Sequence, residues 1–170
     1  MSKICHNQSH SQSVDRMNIL SEMERQFDHR NAKYFLDLLS HTDNVIRTRA
    51  ICILADLAGE DAVDDISNVL RNDKDPLVRH EAAFSLGQLG FTNAIGALSG
   101  ALSSDSSFFV RHEAAIALGV IGSESAKEAL DKALSDESEE VRESANIALA
   151  NIDYISKIKR INKFSKMTGG

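Results

Sequence analysis

The sequence predicts an all-α fold in which helical hairpins stack into a solenoid. Apolar positions recur with helical spacing at a period of 31 or 32 residues, which is typical of a repeat array. The chain has 170 residues and one proline, so few residues interrupt its helices. A single hairpin cannot bury its apolar face alone, and neighbouring hairpins must therefore pack against each other.

Four arginines mark the period. They are Arg47, Arg79, Arg111 and Arg142, at intervals of 32, 32 and 31 residues. An alanine follows each arginine at the third position, a leucine at the seventh, and leucine or isoleucine at the tenth. These positions share one face of a helix. We therefore expect four equivalent helices at about 44–58, 76–89, 107–121 and 139–152, with shorter amphipathic segments between them completing about four hairpins.

Local signals set the ends of these helices. An acidic turn precedes each arginine, and Asp75 followed by Pro76 is the usual order of an N-cap and first helical residue. Gly59, Gly90 and Gly122 are placed to end the long helices. Because the four arginines recur in every unit, we interpret them as partners of the turn aspartates in adjacent repeats. They belong to the scaffold in this interpretation.

The termini differ from the repeat region in composition. We predict a flexible tail at 1–16, a repeat domain at 17–153 and a basic helix or tail at 154–170. A helix near 14–28 is expected to cap one end of the array. The basic segment is either a solvated terminal helix or a docking segment for an acidic partner.

Charge and cysteine content narrow the class of protein. The net charge of −6 argues against broad nucleic-acid binding. No apolar run reaches the roughly 18 residues that a membrane span requires, and the N-terminus lacks the apolar core of a secretory signal. Cys5 and Cys52 are interpreted as free thiols in a reducing cytoplasm. We expect a cytoplasmic protein that binds neither nucleic acid nor membrane.

The recurring pattern Val-Arg-x-x-Ala-x-x-x-Leu-Gly resembles HEAT-like repeats of the compact kind described from phycobilisome lyases. It occurs with Arg79 and Arg111 and in weaker form in the other units. The resemblance implies a HEAT-like α-solenoid with terminal capping helices. Such arrays serve mainly as scaffolds, so the repeat pattern alone leaves the function open.

Two repeats carry a His-Glu pair where the flanking repeats do not. The pairs are His80-Glu81 and His112-Glu113, in the same register after their arginines. Helical spacing places both histidines opposite the apolar stripe, His80 in line with Ala83 and Gly87 and His112 in line with Ala115 and Gly119. We expect these small residues to leave room for a ligand, substrate or second chain. Helices stacked about 8–10 Å apart would let the two imidazoles converge on one ion. Iron or zinc would accept two histidines and a carboxylate; the alternative is two polar spots on a scaffold.

The flanks of these pairs resemble deoxyhypusine hydroxylase, a HEAT-like di-iron monooxygenase. Leu86-Gly87-Gln88 follows the first pair, and Ala117-Leu118-Gly119-Val120-Ile121-Gly122 follows the second. The resemblance implies that His80, His112 and Glu113 bind one metal. It makes Glu81 a further ligand, or a second-shell or substrate-binding carboxylate, and gives Glu81 and Glu113 the candidate catalytic roles. Iron is the expected metal, with other divalent ions as alternatives.

The chain corresponds to one half of that family, in which two halves supply two His-Glu motifs each. We therefore expect a homodimer with a di-iron site between its subunits, and hydroxylase-like chemistry. A protein substrate or partner on the concave face is a further expectation. Two alternatives stay open: a non-catalytic HEAT-like interaction scaffold, and a lyase-like chaperone for a tetrapyrrole.

Overall fold

The structure is a computed structural model that describes the backbone of residues 2–167 and the side chains of residues 15–161. Every regular element in this range is helical, which confirms the all-α prediction. The α-helices are α1 (Ser2–Asp28), α2 (Ala32–Leu38), α3 (Asn44–Ala58), α4 (Val63–Asn72), α5 (Pro76–Leu89), α6 (Ile95–Ser104), α7 (Phe108–Ile121), α8 (Lys127–Ala133) and α9 (Glu139–Met167).

The helices form two parallel rows. Helices α3, α5, α7 and α9 pack side by side in one row, here called the B row, and α2, α4, α6 and α8 form the A row. Consecutive A and B helices make the predicted hairpins. Between the rows lie fully buried leucines, among them Leu54, Leu86 and Leu118 at the predicted seventh position. The predicted bounds of α3 and α5 agree with the structure, and that of α7 agrees within one residue.

The helix ends follow the predicted signals. The Asp75 carboxylate accepts a hydrogen bond from the Leu77 N–H at 2.9 Å, and Pro76 is the first residue of α5. Gly90 and Gly122 end α5 and α7 in the left-handed conformation, with φ of 73° and 66°. A residue with a β-carbon is disfavoured at such φ values, so glycine sets where these two helices stop.

A ladder of arginine–aspartate pairs links the layers. Arg79 donates from Nε and Nη2 to the two carboxylate oxygens of Asp105 in the next turn, at 2.7 and 2.8 Å, and from Nη1 to the Asp73 carbonyl. The same bidentate contact joins Arg47 to Asp73 and Arg111 to Asp136. These side chains are 5–12% exposed. The interpretation as structural partners between repeats is therefore confirmed for Arg47, Arg79 and Arg111. Arg142 instead donates to the carbonyl oxygens of Asp136 and Glu137 in its own turn.

Helix α1 continues the ladder at the N-terminal end. Arg16 donates from Nε to Asp43 at 2.7 Å, as the later arginines do to their turn aspartates. Met23, seven residues after Arg16, is buried in the core like the leucines at the seventh position. Helix α1 thus acts as an imperfect member of the B row, a role beyond the cap that the sequence predicted.

The terminal helices run through the predicted domain boundaries. Helix α1 begins at Ser2 and takes in residues 2–16 of the segment that we predicted as a tail, while α9 continues from the last repeat to Met167. Side chains beyond residue 161, including most of the basic segment 154–170, lie outside the described residues. The division into tail, repeat domain and basic segment stays a prediction. In the part of the chain that the structure covers, none of the helices has the length and apolar character needed to cross a membrane.

Candidate metal and ligand site

The predicted site residues lie on the outward surface of the B row, here called the B face. His80 of α5 meets Glu113 of α7, with Nε2 and Oε2 3.3 Å apart. The Glu113 side chain is 10% exposed and that of His80 22%. His80 directly follows the ladder arginine of its own layer, and Glu113 lies two residues after the ladder arginine of the next layer. Contacts between these two positions of adjacent layers determine which of the four predicted residues come together.

An aromatic ring holds His80 from a second side. The rings of His80 and Phe109 are stacked, with centroids 4.0 Å apart and an angle of 6° between their planes. Phe109 is at the start of α7, and its side chain is 38% exposed, so it also shields one face of the imidazole from water. Phe109 immediately precedes the Val-Arg-His-Glu segment, but helical periodicity gives no sign that its ring contacts His80.

The second histidine makes a contact between the same two positions of adjacent layers, but with a different partner. His112 lies against Ser144 of α9, with Nδ1 and Oγ 2.7 Å apart. The Ser144 hydroxyl donates to the Glu140 carbonyl oxygen at 2.8 Å. Ser144 occupies the repeat position that Glu81 and Glu113 occupy in the preceding units, and comparison of that position could have identified it.

Glu81 meets a thiol. The Cys52 Sγ–H of α3 donates to the Glu81 Oε1 at 2.8 Å. Desolvation of the sulphur, then the hydrogen bond to Glu81 and the charge of that carboxylate, raise the pKa of the Cys52 thiol to about 12. Desolvation of the sulphur and an adjacent negative charge both disfavour the thiolate, although the residue as a whole is exposed. This contact occupies one of the two carboxylate oxygens that the sequence assigned to a metal or substrate.

The four predicted residues thus take part in three separate pairs along the B face. These are Cys52–Glu81, His80–Glu113 and His112–Ser144. Among the residues that the structure describes, no three or more His, Cys, Asp or Glu side chains are grouped so that they could hold an ion. His80 and Glu113 are brought together as expected, whereas convergence with His112 on one ion stays a prediction.

The small residues beside the histidines have another role than the one predicted. Gly87 and Gly119 are buried, and a β-carbon on either would lie 2.8 or 2.7 Å from the β-carbon of Ala117 or Ala148 in the next B helix. The expectation of room for a ligand is wrong for Gly87, and Gly119 faces Ala148 in the same way although it also borders the groove beside His112. The adjacent helix fills that space, and glycine is what allows the B helices to approach so closely.

Space for a ligand lies beside His112 instead. A groove of about 440 Å³ runs between α7 and α9, bordered among others by His112, Ile116, Gly119, Ile147, Glu140 and Glu143. Its walls are mainly apolar, and Ile147 is 69% exposed. Further apolar side chains, Leu77 and Phe84, are exposed on α5. An apolar surface with a few polar groups at one end suits a ligand or a partner chain.

The fold and these features define the class of protein. The family model for HEAT repeats matches residues 63–150, slightly more than half of the chain, and the chain belongs to that family.

The solved structures that are similar to this chain include a hydroxylase and a lyase complex. Human deoxyhypusine hydroxylase in complex with glycerol is 32% identical, with a TM-score of 0.67 over 74% of this chain and 44% of that one. The complex of CpcE and CpcF of phycocyanin lyase from Nostoc sp. PCC7120 is 25% identical, with a TM-score of 0.64 over 79% of this chain and 58% of that one. No curated protein matches the sequence. The predicted resemblance is confirmed, and the chain spans about half of either relative.

Proposed function

We propose that this chain is a metal-binding HEAT-repeat protein of the hydroxylase type, active as a homodimer that completes its metal site. The observation that carries the proposal is the approach of His80 Nε2 to Glu113 Oε2 at 3.3 Å across adjacent layers. The 32% sequence identity to a deoxyhypusine hydroxylase, over 74% of this chain, supports it. In this proposal the protein acts in the cytoplasm and takes iron in preference to other divalent ions.

The geometry of the His80–Glu113 pair suits two ligands of one ion. Two atoms that each lie about 2.1 Å from a metal are roughly 3.0–3.4 Å apart at bond angles between about 90° and 109°. Imidazole and carboxylate together suit iron or zinc. The layers of the repeat hold both side chains at this distance through the Arg–Asp ladder. His112 is proposed as a third ligand, and Glu81 as a further ligand or a carboxylate that faces the substrate.

One chain offers only part of a coordination set, and a second copy would offer the rest. The similar hydroxylase chain is more than twice as long as the part matched here. The B face carries exposed apolar side chains on both sides of the histidines, including Phe84, Ile116 and Ile147. A two-fold axis through this face would bury those side chains and set two copies of His80 and Glu113 opposite each other.

Iron bound there would supply the activation of O2 for hydroxylation. The chain's own residues would hold the ion, orient the substrate and exclude water. Phe109 covers one face of His80. The groove beside His112 would bind the apolar part of a substrate, and Glu140 and Glu143 at its border would attract a positive charge.

The experiment combines metal analysis with mass determination in solution. Protein purified without oxygen is loaded with Fe(II), desalted, and measured by light scattering during gel filtration. We expect a dimer with close to one iron per chain. His80→Ala and Glu113→Gln should each lose most of the iron and stay folded, while His29→Ala, which removes an exposed histidine just after the end of α1, should keep it. A monomer that retains no metal after loading would contradict the proposal.

The second candidate is a non-catalytic scaffold that binds a protein through the B face. The exposed apolar residues of α5, α7 and α9 favour it, because a monomeric surface rarely keeps so many together without a partner. Chelation separates the two functions. A scaffold would bind its partner equally well with and without chelator, whereas the metal proposal predicts that iron and activity are lost together.

A further inference from the structure

The imidazole of His112 is held at one nitrogen by a serine hydroxyl and a main-chain carbonyl. Its Nδ1 lies 2.7 Å from Ser144 Oγ and 3.4 Å from the Glu140 carbonyl oxygen. Ser144 is 6% exposed, and its hydroxyl also contacts the Glu140 carbonyl at 2.8 Å. Three polar atoms from α7 and α9 thus meet in one small cluster at the end of the groove.

The positions of the hydrogen-bond acceptors in this cluster determine where the Ser144 and His112 protons lie. A carbonyl oxygen only accepts, so the 2.8 Å contact between Ser144 Oγ and the Glu140 carbonyl oxygen requires the single hydroxyl proton to lie between these two oxygens. Ser144 Oγ is then left with lone pairs toward His112, and the Glu140 carbonyl also faces the same ring nitrogen. Both contacts are attractive only when Nδ1 carries a proton. We propose that Ser144 is a positioning residue that fixes His112 as its Nδ1–H tautomer and leaves Nε2 as the free lone pair.

The preceding layer is built differently. His80 faces the next layer through Nε2, and its partner Glu113 is a carboxylate that can itself bind a metal. His112 faces the next layer through Nδ1, and its partner Ser144 is a neutral hydroxyl that gives no strong ligand. Ser144 therefore orients the histidine and competes little for the ion. A ligand histidine usually has its second nitrogen held in this way.

The role of Nε2 as a ligand rests on the proposed function, but the tautomer does not. It can be measured in metal-free protein by two-bond proton–nitrogen spectra of 15N-labelled chain. The sample is kept near pH 8.5, about two units above the ordinary histidine pKa. We expect His112 to show the Nδ1–H pattern. Ser144→Ala should shift it toward the Nε2–H form that free histidine favours, and Ser144→Thr, which keeps the hydroxyl, should restore it.

Asn146→Ala is the matched control, because Asn146 is exposed on the same helix and lies away from His112. It should leave the tautomer unchanged, and the His80 signals serve as an internal reference in every variant. If Ser144→Thr disturbs the packing, the comparison of wild type with Ser144→Ala decides alone. An Nε2–H pattern in the wild type, or no change in Ser144→Ala, would overturn the assignment.

A second measurement links the tautomer to the proposed site. Titration with Co(II), followed by its visible absorption, should show about 10- to 100-fold weaker binding in Ser144→Ala than in the wild type or Asn146→Ala. Equal Co(II) affinity in Ser144→Ala and wild type would overturn the positioning role. If wild type binds no metal but shows the Nδ1–H tautomer that depends on Ser144, the metal function fails and the assignment of the tautomer stands.

Discussion

Gly87 and Ala117 are in direct contact across adjacent B helices: a β-carbon on Gly87 would lie 2.8 Å from the β-carbon and 2.9 Å from the α-carbon of Ala117. Carbon atoms that are not bonded to each other do not approach so closely, so a larger residue must push α5 and α7 apart. The contact recurs one layer on, between Gly119 and Ala148. The glycine of the Leu-Gly pattern thus allows the close approach that sets the distance between layers.

Gly87→Ala should destabilise the protein. Overpacking of a tight core costs about 1–3 kcal/mol, more than the roughly 0.5–1 kcal/mol that alanine gains over glycine in a helix. Gly96→Ala is the matched control, since Gly96 is also helical but its β-carbon would meet open space. Urea unfolding should show a loss of about 1–2 kcal/mol for Gly87→Ala and a small gain for Gly96→Ala. Equal effects of the two substitutions would show that the close approach is not what selects glycine.

The repeat framework could be predicted from the sequence because its signals are local or periodic. The caps at Asp75 and Gly90 act within one turn, and the ladder partners of Arg79 and Arg111 recur at a fixed interval. Arg16 was missed because its unit lacks the alanine and leucine that follow the other arginines, although its distance from Arg47 matches the period.

The site was less predictable because it depends on distances between helices. Helical spacing placed His80 and His112 on one face, but it could not tell which atoms of the next layer each ring meets. It also could not distinguish a glycine that leaves space from one that allows close packing. The pairs His80–Glu113 and His112–Ser144 follow from a stagger between layers that only a three-dimensional structure specifies.

Removal of one internal ladder arginine should be costly. Arg79→Ala would leave the Asp105 carboxylate, which is 7% exposed, without its charged partner. Breaking a buried pair from one side costs about 3–5 kcal/mol, and Arg79→Lys should recover only part because it cannot make the bidentate contact. The terminal Arg142 donates to the carbonyl oxygens of Asp136 and Glu137, so we expect Arg142→Ala to cost about 1 kcal/mol. Similar losses in chemical denaturation for Arg79→Ala and Arg142→Ala would contradict a ladder that acts between layers.

The ladder should also make stability depend on acid pH. Burial alone would raise the pKa of Asp105, but hydrogen bonds from Arg79 and the Ser107 N–H, with the nearby arginine charges, lower it overall. A carboxyl whose pKa is lowered by folding stabilises the folded state above its unfolded pKa of about 3.9, and this contribution is lost as pH falls through the folded pKa.

Asp105→Asn should therefore be less stable than wild type near pH 7 and lose less stability as the pH falls from about 6 to 3. The two unfolding curves should approach each other at the acid end. The stability of Asp131→Asn, a substitution at an exposed position on α8, should change with pH in the same way as that of wild type. Thermal unfolding followed by circular dichroism at several pH values measures this, and a constant difference between wild type and Asp105→Asn at all pH values would rule out the linkage.

Cys52 should react slowly although the residue is exposed. At pH 8 a thiol with a pKa of about 12 has on the order of 10³-fold less thiolate than an ordinary one with a pKa near 8.5. The greater nucleophilicity of the more basic thiolate recovers part of this, leaving a rate of disulfide exchange roughly 50- to 100-fold below that of a free thiol.

The rate can be measured with an aromatic disulfide reagent in a Cys5→Ser background. Glu81→Gln should accelerate it, because the charge beside the sulphur is removed, while Glu128→Gln on the distant α8 should not. A fast reaction in the parent chain, or the same rate with and without the Glu81 carboxylate, would mean that this carboxylate does not control the thiol.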